Sequence, residues 1–148
     1  MNKFKYLLSL IVSLTVMACE RLETVKNVYP DMKTAKRSGA IQRGWVPAFL
    51  PISAEDIIEE HNIDTNEVWL SFSLPKNNIW INEKLCRTTE LDKVSFPRRK
   101  SGAWWPIALI ENTSRQRGEN YVYLHCDNGG YIAVTKDRQG GYYWRTIR

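Results

Sequence analysis

The sequence is short of almost everything that announces a chemistry. Its 148 residues contain two histidines, His61 and His125, three cysteines and three methionines. No catalytic or cofactor motif of high specificity is present, so neither a cofactor nor a metal site is expected. There are no internal repeats and no low-complexity segment, which excludes solenoids and tails. Charge of one sign is also scarce: 21 basic residues face 16 acidic ones, a formal +5. That mild excess suits an anionic surface or an acidic partner, but not a nucleic-acid protein, which needs a broad basic stripe. What is present is ordinary globular material, 43% hydrophobic and 11% aromatic, enough for one domain with a real core.

The N-terminus departs from this plainness. After Met-Asn-Lys-Phe-Lys comes an uncharged stretch from Tyr6 to Cys19, then Glu20-Arg21. A bilayer span needs about 20 apolar residues, so this segment is too short, and its basic flank is that of an export signal. Val16-Met17-Ala18-Cys19 resembles the lipobox of bacterial lipoproteins, with Met17 the less usual occupant. The resemblance implies cleavage after residue 18 and acylation of Cys19 with palmitate-type chains, several acyl chains together giving stable anchoring. Removing Lys3 and Lys5 leaves 19 basic against 16 acidic residues, about +3. Glu20 after the cysteine implies outer-membrane sorting, facing the periplasm, if the source is Gram-negative.

Residues 19–38 are polar without a clear period and read as a tether on the order of 25 Å long. A single α+β domain is expected over 39–148, mainly an antiparallel sheet with one or two short helices. Residues 41–47 look extended. Ser53 offers an N-cap for a helix from Ala54 to His61, acidic at its start. Val68, Leu70, Phe72 and Leu74 alternate with Trp69, Ser71 and Ser73, the period of a half-buried strand over 67–74. Further strands are expected over 79–86 and 105–110, with a loop over 92–102. The last third reads as a three-stranded meander: 121–126, an Asn128-Gly129 turn, 131–136, a second turn, then 142–147.

The run Gly44-Trp45-Val46-Pro47, then Leu50-Pro51-x-Ser53-Ala54-x-x-Ile57, then His61-Asn62-Ile63-Asp64-Thr65-Asn66-Glu67-Val68-Trp69 is similar to a head domain of small uncharacterised bacterial lipoproteins of the YbbD-like kind. The resemblance covers about thirty residues and implies a small envelope protein, with an immunity or accessory role worth carrying. It transfers no catalytic residues.

Once Cys19 is lipidated, Cys86 and Cys126 remain, and in an oxidising envelope a disulfide between them is the natural pairing. His125 points to the other face of its strand and cannot serve Cys126 as a base. His61 with Glu59, Glu60 and Asp64 could be imagined as a metal or acid–base site. On a helix, however, Glu60 and His61 diverge by about 100°, and His61 shares a face with Ile57 as a packed or capping residue. Asp64-Thr65-Asn66 reads as a turn. The most suggestive feature is one sheet face carrying Tyr121, Tyr123, His125, Tyr131, Tyr142 and Trp144, with Val122, Leu124, Ile132 and Val134 opposite. Such a face can receive a sugar or a protein, or be covered by the chain itself. Trp104 and Trp105, beside Arg98-Arg99-Lys100, could join it or touch lipid headgroups.

The expectation is therefore an exported protein held to the membrane by its lipid, with an unidentified protein or glycan partner and no nucleic acid. Its role is non-enzymatic partner binding. A glycan-binding or glycan-processing role and a purely structural one are the alternatives, so enzymatic activity stays open.

Overall fold

The computed structural model describes residues 24–76, 84–99, 101–111 and 120–146. The signal segment, the lipobox and Cys19 lie outside these residues. The described chain forms one seven-stranded antiparallel sheet: β1 (Thr24–Asp31), β2 (Glu55–Asn62), β3 (Val68–Ser73), β4 (Cys86–Thr88), β5 (Tyr121–Cys126), β6 (Tyr131–Thr135) and β7 (Gly140–Arg145). Their spatial order is β1-β2-β3-β7-β6-β5-β4. A single α-helix, α1 (Met32–Arg37), is described, and 3-10 turns occupy Leu91–Lys93 and Ile107–Leu109. The protein is thus mostly β.

The C-terminal meander is present as the alternation requires, with Asn128-Gly129 at its first turn and Gly129 in the left-handed region at φ +80°. Other expectations are corrected. From Thr24 onward the supposed tether is folded: β1 pairs along β2 from Thr24↔Asn62 to Asp31↔Glu55. It continues into α1, where Asp31 Oδ1 accepts the Thr34 N–H at 2.6 Å and Lys36 and Arg37 sit favourably at the C-terminal dipole end. Gly39 at φ +80° closes the helix, its N–H bonding Lys36 O while Ala40 N–H bonds Ala35 O. Met32 and Ala35 enter the core. Polar composition hid this segment because β1's partners lie about thirty residues downstream.

The expected helix from Ala54 to His61 is instead β2. Ladders on both sides hold it, to β1 and to β3, and such tertiary pairing overrides a short, marginal helix signal. A register shift between Glu55 and Ile58 is accommodated at Asp56, whose φ is +49°. The expected strand over 105–110 is a turn ending in the 3-10 segment after Pro106, which has no N–H to give a ladder. Residues 41–47 make tight turns rather than an extended run. Of the strand expected over 79–86, residues 79–83 lie outside the described set, and Cys86 begins β4.

The sheet is covered on both faces. One core holds Ile57, Val68, Leu70, Phe72, Leu124, Ile132 and Tyr143 under β1's continuation, α1 and the segment from Ala40 to Ala54. The other is aromatic: Trp69, Phe96, Trp105, Tyr123, Tyr131 and Trp144. β3 sits mid-sheet, so Trp69 is as buried as Leu70, and the half-buried expectation for this strand becomes burial on both faces. A disulfide joins Cys86 and Cys126 as direct cross-strand partners of β4 and β5.

Candidate functional site

Alternation does place Tyr121, Tyr123, His125, Tyr131, Tyr142 and Trp144 on one face. The register extends them into a row across the sheet, Trp69–Trp144–Tyr131–His125. This face is filled by the chain's own segment from Val94 to Ile110. Phe96 stacks on Trp144 at 5.5 Å, and Trp105 meets Trp144 and Tyr142 edge-on. Trp144 Nε1 donates to Ser95 O at 2.7 Å and Trp105 Nε1 to Leu109 O at 3.4 Å. Tyr123, Tyr131, Trp144 and Trp105 are consequently buried, while Tyr121, Tyr142 and Trp104 keep some solvent-facing area. Arg99 lies over the Trp69 ring and pairs with Glu67 at 3.3 Å. Arg98 is solvated near Glu111, and Lys100 lies outside the described residues.

On the opposite face the structure assembles a group that a helical reading keeps apart. In a strand, Glu59 and His61 are two residues apart and point the same way. Glu59 Oε1 lies 2.7 Å from His61 Nδ1, and Asn27 Nδ2 donates to Glu59 Oε2 at 2.9 Å. Trp45 stacks on the imidazole at 3.7 Å between centroids, and Arg43 lies over Trp45 at 4.2 Å. Glu59 and His61 are fully buried. Burial raises the Glu59 carboxyl above its ordinary range, opposed by its bonds to Asn27 and His61. His61 Nε2 has no hydrogen-bond partner among the described residues. The pair has the geometry of an oriented imidazole but is buried beneath Trp45. Asn62, not Asp64, makes the adjoining turn: its Oδ1 accepts the N–H groups of Asp64 and Thr65.

The aromatic face opens at the far end of its strands, where β7 begins. There a cleft of about 310 Å³ is lined by Asp56, Ser71, Ser73, Thr135, Asp137, Gln139 and Tyr142, with Phe72 and the pair Gly140-Gly141. A Cβ on Gly140 would stand 2.5 Å from Phe72 O, and one on Gly141 2.9 Å from Ala133 O. Glycine is therefore required for the strands to close, and it leaves the floor bare. The bulge of β2 carries Asp56 to one side, its Oδ2 accepting from Ser73 Oγ at 3.0 Å. The β6–β7 turn brings Asp137 to the other, its Oδ1 accepting the Gln139 N–H at 3.0 Å. That bond, with help from the Thr135 hydroxyl, holds the Asp137 carboxyl below the usual range, so it is ionised at neutral pH. Burial pushes the Tyr142 phenol up, keeping it neutral. Two depressions beside His125, of about 360 and 410 Å³, lack this combination of ring and carboxylates.

Of the residues singled out in the sequence, Tyr142 alone belongs to the cleft. Asp56, Asp137 and Gln139 were missed because Asp56 lies 81 positions before Asp137 and 83 before Gln139, and the bulge and the turn align them. Among the described residues no group of three or more His, Cys, Asp or Glu gathers to hold a metal ion, and no helix is long and apolar enough to cross a membrane.

Residues 23–73 match the family model of the YbbD head domain, so β1, α1, β2, β3 and their connections form a YbbD-like head domain, which fits an envelope-associated protein. Neither the curated proteins nor the solved structures give a significant match to the chain.

Proposed function

We propose that this chain is an exported envelope protein, anchored through an acylated Cys19, that acts by binding a partner rather than by catalysis. The head domain and the Cys86–Cys126 disulfide support the compartment, since such bonds persist where the surroundings are oxidising. The observation that carries the binding role is the open cleft at the start of β7, where carboxylates, hydroxyls, an amide and a tyrosine ring meet. A glycan-hydrolysing reading is weaker, because it needs a general acid beside the ionised carboxylate, and Asp137, held ionised, does not supply one.

The test is metabolic labelling with a palmitate analogue, followed by in-cell crosslinking and capture from membranes. Label and membrane retention are expected to vanish in Cys19→Ser, and the crosslinked species to change when Asp137 is replaced by Arg. Full labelling of Cys19→Ser would remove the anchor, and an unchanged crosslinking pattern would remove the cleft.

A further inference from the structure

We infer that the cleft between the β2 bulge and the β6–β7 turn is a binding site for an uncharged oligosaccharide. The inference rests on the binding role proposed above, and not on the lipid anchor. It starts from what the lining offers. Asp56 and Asp137 present carboxylate oxygens that accept only, and Asp137 stays ionised. Gln139 and Ser71 add groups that both donate and accept. Tyr142 supplies the apolar wall, and its ring plane is fixed by edge-on contacts from Trp105 at 5.6 Å and Tyr121 at 6.1 Å.

A sugar ring matches each part of this set. Its hydroxyls donate to carboxylates and accept from amides and hydroxyls, and its C–H face packs on an aromatic ring. An anionic glycan would meet two carboxylates and be repelled. A lysine side chain would satisfy the carboxylates but has no lone pair to offer the amide donors. The bare Gly140-Gly141 floor keeps the cleft open and shallow, a shape for a sugar chain laid on the surface rather than for one enclosed small molecule.

The experiment titrates the full-length chain, in detergent, with tetramers of β-1,4-linked N-acetylglucosamine, of cellulose type and of maltose type, followed by calorimetry and by NMR. A pentalysine peptide is titrated alongside. At least one oligosaccharide is expected to bind at millimolar concentration or below. Asp137→Asn should weaken it about tenfold, the loss of one charge-assisted hydrogen bond, and Gln139→Ala should weaken it less. Tyr142→Phe should retain binding and Tyr142→Ala abolish it. Since Tyr142→Ala also removes packing against Trp105, the exposed Asp137 and Gln139 variants decide the matter if that protein does not fold. Absence of binding for all three tetramers, or undiminished binding by Asp137→Asn, overturns the inference. Pentalysine binding without oligosaccharide binding overturns it in favour of a cationic peptide, leaving the general binding role intact.

Discussion

The two faces of this sheet are packed by different means. On the head face, a helix and a turn-rich segment lay aliphatic side chains over β2, β3 and β7, and one buried carboxylate–imidazole pair lies beneath Trp45. On the aromatic face, a segment with almost no regular structure is held by rings: Phe96 and Trp105 against Trp144, Tyr123 and Tyr142. Regular elements satisfy their own backbone, so small aliphatic contacts suffice to seat them. An irregular cover has to be pinned, and large rings whose N–H groups reach backbone carbonyls do that well.

The largest effect should come from removing the central pin. Trp144→Ala empties the position where Phe96, Trp105 and Tyr131 converge, and should cost about 3–5 kcal/mol in urea unfolding. Protease susceptibility between Val94 and Ile110 should rise with it. If the segment stays protected, the rings do not hold it.

On the head face, His61→Ala leaves Glu59 buried beside Asn27 alone, and removing one partner of a buried pair costs about 3–5 kcal/mol. The pH dependence carries more information. Burial already raises the Glu59 carboxyl, and His61 is among the groups that lower it, so the variant's carboxyl rises further. A carboxyl raised in the folded state contributes stability that is complete below the unfolded value of about 4.3 and lost as pH climbs through the folded one. His61→Ala should therefore lose stability more steeply than the parent as pH rises above about 4. Parallel curves would mean that the carboxylate is relieved by water instead.

The disulfide lies at the β4–β5 margin, where both cysteines are buried in the head-face core. Reducing it releases a loop with a sequence separation of 40 and should cost about 3–4 kcal/mol in the chain-entropy model, without changing the Trp45 or Trp144 fluorescence environments at low denaturant. A reduced protein with an altered emission spectrum would tie β4 to the aromatic core more closely than its three residues suggest. The smallest effect belongs to Gly44→Ala. No atom stands within 4 Å of the added Cβ, so only the φ of +73° is strained, at about 1 kcal/mol. Its value is diagnostic, because Gly44 precedes Trp45, and Trp45 emission should shift before global unfolding does.

The meander was readable because its signals are local: strict alternation and an Asn128-Gly129 turn within a few residues of both strands. The disulfide was readable from the cysteine count and the expected compartment. β1 and β2 were not, because their conformation is imposed by partners. Glu59 is charged and sits in a sequence that starts like a helix, yet β1 and β3 fix it in a strand with its carboxylate inside. The aromatic set was placed on the right face, but its cover comes from Phe96 and Trp105, whose spacing has no period to betray it. The cleft lay beyond reach for a related reason. A bulge at Asp56 and a turn at Asp137 have no joint signature along the chain.

β1 starts five residues after Cys19, a span of at most about 17 Å even when fully drawn out. An acylated Cys19 would therefore act as a short leash, and the domain would stand at the bilayer rather than drift above it. From Thr24 the strand climbs about 25 Å to Asp31, whose neighbours along the register are Glu55, Ser73 and Gly140. The cleft is thus at the end of β1 that lies away from Thr24. Tethered through Cys19, the protein would hold this open end away from the bilayer, with β1 as the mast.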